Sequence, residues 1–91
     1  MKKYLEQYLG QPIAILAVRH WYRGILTKLE DEHLVISNGF GVELTGDLAG
    51  TVPRKEEALT SDAMISLMSV EMVYQPVWAF HGYSKKELKR S

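Results

Sequence analysis

The run Ile13-Ala14-Ile15-Leu16-Ala17-Val18 constrains this chain more than any other feature, because it is apolar at odd and even positions alike. Successive side chains of a strand point to opposite faces, so a strand of this composition needs cover on both sides. It belongs to a stretch, Gly10 to Asn38, that reads as three consecutive strands. The turn Arg19-His20-Trp21 separates the first from Tyr22–Leu29, and the acidic turn Glu30-Asp31-Glu32 separates that from His33–Ser37. β-Branched and aromatic content with polar punctuation favours strand over helix throughout. Gly24, in mid-strand, marks a sharp bend. A small curled barrel covers both faces of the first strand better than an open sheet does.

Upstream, Leu5, Tyr8 and Leu9 make one apolar stripe of a short helix, and Gly10 stands where a C-cap glycine is wanted. Tyr4 and Tyr8 read as cover for the barrel end, with a stacking platform as the alternative. Downstream, Asn38-Gly39 is a turn signal, and a short strand is expected to resume at Val42 and Leu44. Residues 46–62 form a long irregular connection, with a helical turn expected near Glu56–Leu59. Met64–Leu67 reads as a fourth strand, Met68-Ser69 as a tight break, and Val70–Gln75 as a fifth with Val70, Met72 and Tyr74 on one face. Pro76 ends it, and Val77–Phe80 reads as an edge strand. Met64, Met68 and Met72 recur every fourth residue, so a helix over 63–73 is the competing reading. Residues 1–83 are expected to form one domain. Residues 84–91, with Lys85, Lys86, Lys89 and Arg90, are expected to form a basic tail, either solvated or making one helical turn from the capping box Ser84/Glu87. The fold class expected is therefore all-β with a short N-terminal helix: a small, strongly bent, five-stranded antiparallel barrel.

Composition excludes several function classes. Ninety-one residues make one domain whose stability is marginal unless it associates. Equal numbers of acidic and basic residues, 11 of each, leave no global field to attract nucleic acid or membrane. The absence of cysteine removes disulfides and thiolate zinc sites, and makes an intracellular, cytoplasmic location the expectation. Met1-Lys2-Lys3 is not followed by an apolar run of signal-peptide length, and no segment approaches the roughly 18 apolar residues of a membrane span. His20, His33 and His81 show no metal-ligand spacing, and no serine lies in a nucleophile-elbow context. Neither a cofactor nor catalysis is expected.

A short helix, three bent strands, a variable connection and two short strands ending in proline resemble the Sm-like (LSm) proteins. Gly24 and Leu26 fit the family's glycine-x-leucine. Asp31-Glu32-His33-Leu34-Val35 is similar to its aspartate-centred loop, with Val35 where the family has asparagine. The family's arginine-glycine is absent near Leu67-Met68-Ser69. The resemblance implies a homo-oligomeric ring of about five to seven copies, built by strand pairing between neighbours through Ile65, Leu67, Val70, Met72 and Tyr74. It also implies contact with single-stranded RNA at Asp31 and His33.

Arg19, Trp21 and Arg23 interleave cations with aromatics, the composition that tracks a phosphate backbone while stacking bases. The plainer reading of that turn is a hairpin whose aromatics pack on the helix or on a neighbouring subunit. For Asp31 and His33 the plainer reading is a solvated β-turn. Two functions stand side by side: an RNA-binding ring with a pore near His33 and Leu67, and a structural or protein-interaction ring whose aromatics Trp21, Trp78 and Phe80 meet a partner.

Overall fold

The computed structural model describes residues 2–44, 48–50 and 55–84. Among the described residues are six strands, one more than expected: β1 (Pro12–Ala17), β2 (His20–Leu29), β3 (His33–Glu43), β4 (Lys55–Ala58), β5 (Ala63–Ser66) and β6 (Val70–Tyr74). They form an antiparallel sheet in the order β4-β3-β2-β1-β6, with β5 also paired to β3. β5 lies along Ile36–His33 and β4 along Phe40–Glu43, so the two follow one another on the same side of β3. The sheet does not close on itself, because β5 and β6 stand at opposite margins.

Both faces of β1 are covered, as its composition demands. On the inner face Ile13, Ile15 and Ala17 join Leu26, Leu34, Ile36 and the helical Leu5 in the main core. On the outer face Ala14 packs with Val42 and Trp78, and Trp21, Phe40, Leu44 and Tyr74 flank them. Each large apolar side chain buried in this way contributes about 1.5–3 kcal/mol. The cover of the outer face is the C-terminal strap, Pro76 to Tyr83, rather than a closed barrel wall.

The strap holds a 3-10 turn over Val77–Phe80 where an edge strand was expected. Trp78 and Ala79 are both buried while Val77 and Phe80 are exposed. A strand would send neighbours 78 and 79 to opposite faces; a tight helical turn lets both reach the sheet. A second correction concerns Asn38-Gly39, which is not a turn: β3 runs straight through it. Arg23 pairs with Phe40 but Ile25 pairs with Ser37, so one extra residue is accommodated opposite Gly24. Asn38 takes a left-handed φ of 52° at this bulge. The bulge also inverts the side-chain alternation: Leu34 and Ile36 face the inner core, whereas Phe40 and Val42 face outward. Gly24 has no room for a side chain here, since a Cβ would lie 2.9 Å from Ile36 Cβ and 3.2 Å from Gly39 Cα.

Further corrections follow from tertiary pairing. Glu56 and its neighbours form β4, not a helical turn, because the outward half of β3 offers them an open edge. The β1–β2 hairpin turns at Val18-Arg19, and His20 and Trp21 already belong to β2. No helix forms over 63–73: β5 and β6 flank a 3-10 turn at Leu67–Ser69, closed by Ser69 Oγ donating to Ser66 O at 2.8 Å. A register shift opposite Leu16 and Ala17 separates Val70 from Met72 and Tyr74, with which it was expected to share a face. Val70 and Val73 pack on the inner core, Tyr74 on the outer cluster, and Met72 is exposed. The N-terminal helix α1 (Lys2–Leu5) passes into a 3-10 turn at Glu6–Tyr8. Gly10, at φ 82°, then donates its N–H to Leu26 O at 2.7 Å. Most of the basic tail (85–91) and parts of the long connection (45–47 and 51–54) lie outside the described residues.

Candidate functional site

The residues expected to meet RNA fall into two groups, and the fold places them at opposite ends of β2. Asp31 and His33 belong to the tight turn into β3, in which Glu30 N–H donates to His33 O at 2.8 Å. The Asp31 side chain is exposed and accepts a hydrogen bond from Lys2 Nζ at 2.7 Å. That bond, reinforced by the ammonium charge, holds the Asp31 carboxyl below its ordinary pKa, and the same partner raises the Lys2 ammonium above its own. His33 is half-buried and opposite Ser66 of β5. Leu67 N–H donates to Glu32 O at 2.9 Å, so the Leu67 turn and the acidic turn lie side by side.

The other group sits at the start of β2. Val18 (φ 50°) and Arg19 (φ 65°) form the hairpin tip, and His20 Nδ1 lies 2.9 Å from Val18 O. Arg19 is exposed. Trp21 makes edge-to-face contacts with Tyr74 (5.6 Å between centroids) and Trp78 (6.2 Å), so it is part of the outer cluster. Arg23 corrects the expectation of a phosphate-tracking patch most sharply, because its side chain is 1% exposed. Its guanidinium is engaged by the Glu56 carboxylate and by the carbonyls of Ala79 and His81. Phe40 and Tyr83 lie against it at 4.2 and 5.1 Å. Sequence reasoning missed these partners, since none lies within local spacing of Arg23.

The expected assembly residues divide in the same way. Ile65, Leu67 and Val70 pack against their own chain's core. Tyr74 donates its hydroxyl to Leu48 O at 2.8 Å, and Trp78 Nε1 donates to the same oxygen at 3.0 Å. Along β5, β6 and the turn between them the large apolar side chains left in water are Met64, Met68 and Met72, with Met68 almost fully exposed. A hollow of about 310 Å³ at the seam between β1 and β5 is lined by Ala17, Val18, Tyr22, Leu59, Met64 and Ser66, among others.

Among the described residues no group of three or more His, Asp or Glu is arranged to hold a metal ion, and no helix is long and apolar enough to cross a membrane. No family model, no curated protein and no solved structure matches this chain.

Proposed function

We propose that this chain is a self-assembling Sm-like subunit that forms a homo-oligomeric ring of about five to seven copies, acting as a structural or protein-interaction module. The observation that carries this reading is the position of β5 and β6. They stand at opposite margins of one sheet, and among the described residues neither has a ladder partner on its outer side. Open strand edges template pairing with another chain. An edge at each margin permits head-to-tail pairing, which closes into a ring when the rotation allows. Further support comes from Met64, Met68 and Met72, adaptable apolar side chains left in water along these two strands and the turn between them. Light scattering at micromolar concentration tests the reading: a mass several times the 10.4 kDa of one chain is expected, and a monomer overturns it.

A second reading, contact with single-stranded RNA, is favoured by one observation. The Leu67–Glu32 bond sets two turns together, and a ring would gather Asp31 and His33 from every copy around a common opening. Against it, Glu30, Asp31 and Glu32 are all acidic, Arg23 is buried, and Arg19 lies at the far end of β2. Titration with oligo-U RNA over a salt series separates the readings. Phosphate contacts give affinity that falls steeply with salt, and a base stacked on His33 would be lost in His33→Ala. The first reading expects no oligo-U binding even at low salt.

A further inference from the structure

Arg23 is the one charged side chain buried among the described residues. A buried guanidinium is tolerated only when paired and hydrogen-bonded, so its contacts reveal which parts of the chain must be in place around it. Nε and Nη2 donate to the two oxygens of Glu56, the latter at 3.0 Å. Nη1 donates to His81 O at 2.6 Å and to Ala79 O at 3.4 Å. Glu56 belongs to β4, and Ala79 and His81 belong to the strap. Among the described residues β4 is laddered only to β3. Backbone bonds within the strap join Ala79 to Pro76, His81 to Trp78 and Tyr83 to Phe80. The guanidinium thus bridges two segments that share no backbone ladder with each other.

We propose that Arg23 is a latch that makes β4 and the strap Pro76 to Tyr83 dock on the outer face, and leave it, as one unit. If β4 lifts away, the cation remains under the strap without its counter-charge, a state that drives the strap off. If the strap lifts away, Arg23 becomes hydrated and its pairing with Glu56 weakens to that of a surface ion pair, which no longer holds β4. Opening the latch uncovers Ala14 and exposes more of Trp21, Phe40 and Tyr74, aromatic side chains that the closed strap covers in part. The chain's two tryptophans, Trp21 and Trp78, both lie at this face, so tryptophan fluorescence reports on its opening.

The test is amide hydrogen exchange on the full chain in two variants that perturb the latch from opposite sides. Glu56→Gln removes the counter-charge of Arg23 from β4 and touches no strap residue's backbone partner. Exchange at Ala79, His81 and Tyr83 is expected to rise roughly tenfold together with that of residues 55–58, while β1 and β2 stay protected. Gly82→Ala strains the strap, because Gly82 has φ 83° and lies beside the guanidinium; it is expected to speed exchange in residues 55–58. In both variants tryptophan emission should shift to the red. Exchange that rises only in the mutated segment, or rises equally across β1 and β2, overturns the latch.

Discussion

The two faces of the sheet are closed by different means. The inner face is sealed by aliphatic side chains that alternate along β1 and the first half of β3, together with Leu26 and Leu5. The outer face is sealed by aromatic residues and the Arg23–Glu56 ion pair, brought from β2, β3, β4, β6 and the C-terminal strap. Aliphatic packing is non-directional and tolerates small shifts, whereas a guanidinium needs several partners at fixed positions at once. The inner core therefore sets global stability. The outer face, built from pieces far apart in sequence, is the face able to open locally.

The largest expected effect breaks the inner side of this comparison. Leu26 is fully buried, so Leu26→Ala should lower unfolding free energy by about 2–5 kcal/mol, measured by denaturant titration. Circular dichroism and tryptophan fluorescence should report the same midpoint, because both faces are lost together; separated midpoints would show that the outer face melts independently of this core. Gly24→Ala comes next. Its Cβ would collide with Ile36 and crowd the bulge at Gly39, and a destabilisation of about 1–3 kcal/mol is expected from overpacking. A neutral result would mean that the two strands do not cross closely there.

The third prediction has the opposite sign. Val18 holds a β-branched side chain at φ 50° in the hairpin tip, 65% exposed. Asparagine accepts that conformation more readily, so Val18→Asn should stabilise the monomeric fold by about 1 kcal/mol. If assembly weakens at the same time, Val18 serves the contact between copies, at the rim of the seam between β1 and β5. The smallest effect concerns Lys2 and Asp31. Lys2→Ala should return the Asp31 titration upward to the ordinary carboxylate range by NMR, leaving the melting temperature where it was, since both groups are exposed. The sign is fixed by linkage: a lowered carboxyl pKa adds stability above its unfolded value, lost as pH falls through the folded value, and for this exposed pair the contribution is too small to move the melting temperature.

Much of the scaffold was legible in the chain. The two-sided apolar run of β1, the alternation around Ile25 and Leu34, the break at Met68-Ser69 and the stop at Pro76 are local signals, and local sterics and periodicity decide them. Asn38-Gly39 was legible as an irregularity but not as a bulge. A left-handed residue serves a turn or a bulge equally well, and only pairing with β2 selects between them. The candidate site was less legible. Arg19, Trp21 and Arg23 look like one cationic and aromatic patch in the sequence, yet strand alternation sends Trp21 and Arg23 to the outer face, where β4 and the strap bury the guanidinium.

What the sequence by itself determined is that β1 must be covered on both faces, because alternate side chains of a strand point oppositely and all of these are apolar. What only the tertiary structure decided is which segment supplies the second cover. That choice brings Trp78 onto Ala14 and supplies the charge of Arg23 with its partners Glu56, Ala79 and His81, residues 33 to 58 positions away. A hydrophobic run requires burial wherever it can be had, but a buried cation can be satisfied only by the particular oxygens that the folded chain delivers to it.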